Sequence, residues 1–170
     1  MSRFSHAIAG GDCRRAGAAS RQLKARLQAA GAPPDAVRRA LLAAFEAEMN
    51  VVMHARGGRM DARLAPGRVD VEVSDVGPGI PDVGRRARRS SPLRKQRVIR
   101  EYPAASASGS VVPRRSRGGL DAAARALGLG AGMGLANIRR ASDAFAIDSV
   151  PGGGTRVRFT IYLKARERPG

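Results

Sequence analysis

The chain has 170 residues, 43% of them hydrophobic, a formal net charge of +17, one cysteine and no tryptophan. This length suits one domain with an aliphatic core but is short for two. Lone Cys13 excludes an internal disulfide, no apolar run reaches the roughly 18 residues of a membrane span, and the first 30 residues carry no secretory pattern, so one cytoplasmic domain over 1–170 is expected.

Phe4 to Ala9 reads as a short strand closed by Gly10 and Gly11, with Asp12 as a helix cap. The Ala-rich run from Cys13 to Ala30, with Leu23 and Leu27 one turn apart, predicts an amphipathic helix that Gly31 and Pro33-Pro34 stop. Asp35 would cap a second helix to about Ala55, whose Val37, Leu41, Ala44, Phe45 and Met49 form an apolar stripe. Asp61 to Leu64 and Arg68 to Ser74 then form a hairpin about Pro66-Gly67, with Val69, Val71 and Val73 on one face.

From Gly84 to Gly118 neither period persists, and eleven basic residues face Glu101 alone. This stretch supplies +10 and the other 135 residues +7, so the charge is a local feature, read as an Arg-rich disordered insert over 84–118. Beyond it, Leu120 to Leu127 reads as helical, followed by a glycine-rich loop and a helix from Leu135 to Ser142. A last hairpin pairs Phe145–Val150 with Thr155–Leu163 through Pro151-Gly152-Gly153-Gly154.

Three features carry chemistry. Glu46, Asn50 and His54 recur every four residues and line one helical edge, as either a site for a hard cation such as Mg2+ or a solvated polar face. Asp75-Val76-Gly77-Pro78-Gly79-Ile80 ends a strand in a sharp turn, where a carboxylate can accept from an exocyclic amine or simply close a tight turn. Gly128 to Leu135 leads into a helix and frees backbone amides for a phosphate. A dinucleotide fingerprint is disfavoured, because the glycines come late and precede an antiparallel hairpin.

Taken in order, these residues resemble the GHKL, or Bergerat-fold, ATPase superfamily, which includes DNA gyrase, histidine kinases and anti-sigma-factor kinases. Glu46, Asn50, His54 and Ala55 match its helix motif, and Asp75, Gly77 and Gly79 its Asp-x-Gly-x-Gly box. Gly130, Gly132, Gly134 and Leu135 match its second glycine box, and Gly154 and Thr155 its Gly-Thr box. Gly11–Ser20, Ala44–Asn50 and Gly132–Ile138 look like the anti-sigma regulatory factor and serine/threonine kinase branch, whose compact domains lack a phosphoacceptor-histidine helix.

The resemblance implies an α+β fold, a two-layer α/β sandwich with helices on one face of a mixed, mostly antiparallel sheet. It implies ATP and Mg2+ as cofactors: Asp75 on the adenine amine with Thr155 in support, Asn50 on the metal, and Gly130, Gly132 and Gly134 around the phosphates. Glu46 would be the base toward a serine or threonine hydroxyl or water, or would orient Asn50, and His54 packs or bonds within the nucleotide motif. The implied partner is a sigma factor or an anti-anti-sigma-like antagonist, with a homodimer left open.

In this family the segment between the two glycine boxes is the lid over the phosphates, and here it is longer and Arg-rich. It reads as a solvated insert, in one version a stretch of altered reading frame, as a phosphate- or partner-gripping lid, or as a nucleic-acid tether. Without a recognition helix or aromatic platform, nucleic acid is the least expected partner. The expected function is therefore an ATP-dependent serine/threonine kinase, with an ATP-gated binding module as the non-enzymatic alternative.

Overall fold

The computed structural model describes residues 2–80 and 134–163. Five strands, β1 (Ser2–Ala9), β2 (Gly57–Ala65), β3 (Arg68–Asp75), β4 (Ala144–Val150) and β5 (Gly154–Tyr162), form one sheet in the order β1-β2-β3-β5-β4. Among the described residues every pairing is antiparallel, so the parallel component expected of a mixed sheet is not found there. Three helices, α1 (Ala18–Ala29), α2 (Pro34–His54) and α3 (Gly134–Ala141), pack against it, and the fold is α+β as expected.

Period-2 alternation sorts the strands into two faces. The register aligns Phe4, Ala62, Val71, Phe159 and Phe145 in one row and Met60, Val73, Val157 and Ile147 in the next, all buried. The helices cover this side. The other face carries Arg, Asp and Glu, partly paired as Arg59 with Asp61, Arg68 with Asp70, Arg156 with Glu72 and Arg158 with Asp148.

Helix α2 is the central element, and its buried surface is mostly small: Ala36, Ala40, Ala43, Ala44 and Ala47, continued by Val51 and Val52. Of the expected stripe, Val37, Ala44 and Met49 are buried, whereas Leu41 and Phe45 are only partly so. Small side chains let α2 touch α1, α3 and the sheet at once, since close packing depends on filling volume without voids.

Both expected caps are corrected. α1 starts at Ala18 and not at Cys13, because Gly17 takes a left-handed conformation, φ 84°, that breaks the helix there. Asp12 instead accepts the N–H of Arg14 at 3.1 Å. α2 starts at Pro34, whose ring presets φ and whose missing N–H costs nothing in a first turn. Asp35 lies within that turn, 2.8 Å from Arg38, and its hydrogen bond to Arg38 holds its carboxyl below the usual range.

Two buried charged residues join these elements. Glu48, 2% exposed, accepts the N–H groups of Ala19 at 3.1 Å and Ser20 at 3.0 Å, so a carboxylate from α2 caps α1. Arg39 donates Nη1 to Asp143 at 2.9 Å and to the Ala141 carbonyl at 3.2 Å, and Nη2 to the Tyr162 carbonyl at 3.2 Å. Its Nε lies 3.2 Å from Asp35, an ion-pair distance without hydrogen-bond alignment.

The expected helix over 120–127 and the Arg-rich stretch 84–118 lie outside the described residues. No helix among those described is long and apolar enough to cross a membrane. Glu48→Ala is expected to cost about 2 kcal/mol in urea unfolding, with Glu48→Gln losing roughly half as much because one amide oxygen can still accept.

Candidate functional site

The buried rows on the helix-facing side end in a polar one. Beyond Val73, Val157 and Ile147, the strands carry Asp75, Thr155 and Ser149, with Ser149 and Thr155 directly paired across β4 and β5. This end of the sheet meets the C-terminal turn of α2. The backbone continues the ladder there: Arg56 N–H donates to the Val76 carbonyl at 3.0 Å and Val76 N–H to that of Gly57 at 2.9 Å.

Glycine is required where the turns meet Asp75. Gly154, at φ 88°, passes so close that a Cβ would fall 2.1 Å from the Asp75 carbonyl oxygen. A Cβ on Gly77 would come within 2.8 Å of the Asp75 carboxylate and 3.1 Å of the Ala55 methyl. Gly79, at φ 71°, abuts the Val150 carbonyl. The Asp-x-Gly-x-Gly turn is thereby pressed between the end of α2 and the β4–β5 hairpin.

Asp75 accepts the Thr155 N–H at 3.2 Å. Burial pushes its carboxyl above the usual carboxylate range, opposed by the Thr155 backbone and hydroxyl bonds and by the charge of nearby His54. His54 itself is exposed, with an interaction of its own. A half-buried carboxylate held against its desolvation cost suits the reception of a donor group from a flat ligand.

At the other end, α3 meets the polar edge of α2. Gly134 opens α3 where a Cβ would come within 3.3 Å of both Glu46 Oε2 and Asn50 Oδ1. Asn137, one turn on, donates Nδ2 to Glu46 Oε1 at 2.7 Å and accepts Arg140 at 2.6 Å. Leu135 packs against the core and seats this helix. Glu46, Asn50 and Gly134 thus converge, as do Asp75, Gly77, Gly79, Gly154 and Thr155, whereas Gly130 and Gly132 lie outside the described residues.

Among the described residues no three His, Cys, Asp or Glu side chains form a metal-binding group. A cation at Asn50 would therefore draw the rest of its described coordination from ligand phosphate and water, the usual habit of Mg2+. The oxygen donors Asn50 Oδ1 and Glu46 Oε2, beside a glycine with no side chain, fit that arrangement.

Sequence reasoning missed Ser149 and Asn137. Ser149 Oγ accepts the Ile80 N–H at 2.7 Å and lies 2.9 Å from Thr155 Oγ1. Its position two residues before the turn, paired with Thr155, was the available signal. A separate concavity of about 1100 Å³ lies on the open sheet face, lined by Arg3, Asp61, Arg63, Glu72, Asp148 and Arg158 among others. It contains none of the convergent glycines and so is distinct from this site.

The family model described as the histidine kinase-like ATPase domain matches residues 11–161. The chain belongs to that family. Both converging clusters of this histidine kinase-like ATPase domain lie within the matched span. None of the curated proteins matches the sequence. Among solved structures it is similar to the RsbU and RsbW domains of Rv1364c from Mycobacterium tuberculosis, with a TM-score of 0.57 and 17% identity. The likeness covers 99% of this chain and 34% of that one, so this chain spans about a third of its length, and it is a likeness of fold.

Two outcomes follow. Gly154→Ala should destabilise the domain by about 3 kcal/mol or more in urea unfolding, because the new Cβ meets backbone at a positive φ. Because the folded state raises the Asp75 pKa, folding takes up protons and the burial penalty applies above the raised value, fading as pH falls below the ordinary one. Asp75→Asn should thus melt above wild type at neutral pH, with the gap closing toward pH 4 in thermal scans, about the ordinary Asp value.

Proposed function

We propose that this domain binds Mg-ATP between α2 and the glycine turns and acts as a regulatory serine/threonine kinase of the anti-sigma-factor type. The observation that carries the reading is the pairing of two clusters by one helix. Near its C-terminus α2 approaches the half-buried Asp75 acceptor, and one and two turns earlier it presents Asn50 and Glu46 beside Gly134. An acceptor for a base and oxygen donors for a cation, joined by glycine turns, match an adenine nucleotide from end to end.

In this reading Asp75 accepts the exocyclic amine and Thr155 supports it. Asn50 would hold Mg2+ through Oδ1, and Gly134 would lead its helix toward the phosphates, with Gly130 and Gly132 completing that loop. Bound Mg2+ would supply charge neutralisation at the phosphates. Glu46 has one oxygen occupied by Asn137, which fixes its rotamer, and Oε2 faces the glycine opening. That oxygen would take the proton of an incoming serine or threonine hydroxyl.

The partner class supported is an anti-anti-sigma-like antagonist or a sigma factor, and an ATP substrate goes with a cytoplasmic site of action. The Asn137 bond to Glu46 also favours a second reading, in which Glu46 only orients α3 and the domain is an ATP-gated binding module.

Calorimetry with Mg-ATP should show saturable binding that Asp75→Asn weakens about tenfold to a hundredfold, since an amide can place a donor against the amine. Asn50→Ala should remove the Mg2+ dependence. With radiolabelled ATP and an anti-anti-sigma-like acceptor, Glu46→Gln should retain nucleotide binding and lose phosphotransfer by about a hundredfold or more. Absence of transfer by a wild type that binds Mg-ATP would favour the binding module, equal transfer by Glu46→Gln would remove Glu46 from the chemistry, and no binding by folded wild type would overturn both readings.

A further inference from the structure

The turn that follows Asp75 and the Gly154–Thr155 pair are joined by a residue that belongs to neither. Ser149 Oγ accepts the Ile80 N–H at 2.7 Å, directly after the turn, and lies 3.2 Å from the Gly154 carbonyl oxygen and 2.9 Å from Thr155 Oγ1. A hydroxyl has one hydrogen and two lone pairs. Its hydrogen goes to Gly154 or to Thr155, and in either case a lone pair stays with Ile80. The bond to Ile80 therefore holds whichever way the two hydroxyls are turned.

Earlier in the turn the backbone is fixed without side chains from β4. Asp75 accepts the Thr155 N–H at 3.2 Å, and the Pro78 carbonyl accepts the Gly152 N–H at 2.8 Å. Gly79 follows at φ 71°, so close to β4 that a Cβ would fall 2.2 Å from the Val150 carbonyl oxygen. Glycine has the widest choice of backbone conformation, so beyond Pro78 the course of the chain is set by what holds Ile80. Among the described residues the Ile80 N–H has the Ser149 hydroxyl as its acceptor, while its side chain rests partly buried against the core.

We infer that Ser149 is a positioning residue for nucleotide binding: its hydroxyl clasps the exit of the Asp75 turn to the β4–β5 hairpin and keeps Gly77–Ile80 on the course that receives the base. The inference rests on the nucleotide site proposed above. Without the clasp only the fraction of molecules with the turn in place binds, and the apparent dissociation constant rises by the inverse of that fraction. One lost hydrogen bond corresponds to about five- to tenfold on that scale. The clasp acts at the Asp75 end, whereas Asn50 and Glu46 lie beside Gly134, so the Mg2+ dependence of binding stays as it is.

Calorimetry with ATP at several Mg2+ concentrations on wild type, Ser149→Ala and Ser149→Thr tests this, at a temperature where melting curves show each protein folded. Ser149→Ala should weaken ATP by about five- to tenfold with the Mg2+ dependence unchanged. It should also speed amide hydrogen exchange at Ile80 while the β3–β5 ladder keeps its protection. Ser149→Thr, which keeps the hydroxyl, should restore both affinity and protection. A residue serving stability alone would lower the melting temperature and leave the affinity of the folded protein untouched. That result, or a Ser149→Thr variant as weak as Ser149→Ala, would overturn the inference while leaving the ATP site standing. Failure of wild type to bind ATP would overturn both. If Ser149→Ala is unfolded at the working temperature, Ser149→Cys, whose sulfur is a weak acceptor of similar size, gives the same comparison.

Discussion

Close approach of α2 to its neighbours is the constraint on which the other features depend. Its buried side is lined by alanines, so the helix axis comes near the sheet, α1 and α3 simultaneously. Larger side chains along that stripe would push the layers apart, and overpacking of this kind is costly in a dense interior. The polar groups follow from the same placement: Glu48 reaches the first turn of α1, Glu46 reaches α3, and Arg39 reaches Asp143 and the end of β5. One helix thereby caps a second, holds a third and forms a wall of the proposed nucleotide site.

At the far end of α2 lies a carboxylate held against its desolvation cost. Asp75 is half-buried with its carboxyl raised by desolvation, and the backbone of Gly154 passes against it at a positive φ. The desolvated carboxylate disfavours the fold taken alone, whereas glycine adopts the positive φ without strain. The compensation comes from backbone bonding of the turn to its surroundings, including Gly152 N–H to the Pro78 carbonyl at 2.8 Å. Loss of these bonds would release Asp75, Thr155 and Ser149 together, because the three share one network.

Much of this was legible in the sequence where the signals are local. The alternation of Val69, Val71 and Val73, the stops at Gly31 and Pro33, and the spacing of Glu46 and Asn50 all correspond to observed elements. Helix starts were misplaced because the cap of α1 is Glu48, some 28 residues away, and no reading of Asp12 could show that. Asn137 and Ser149 were passed over for the same reason, since their partners Glu46 and Ile80 lie 91 and 69 residues distant. Asp35, in contrast, shows a local rule giving the wrong cap, because Pro34 next to it is the better first-turn residue.

In the proposed site the nucleotide lies between α2 and the glycine turns on the helix-bearing side of the sheet. A crystal structure with Mg2+ and a non-hydrolysable ATP analogue tests it most directly. The expected complex has the base against Asp75 and Thr155 and the phosphates beside Asn50 and Gly134. A nucleotide seated instead in the concavity of the open face, against Arg3 and Arg158, would contradict it.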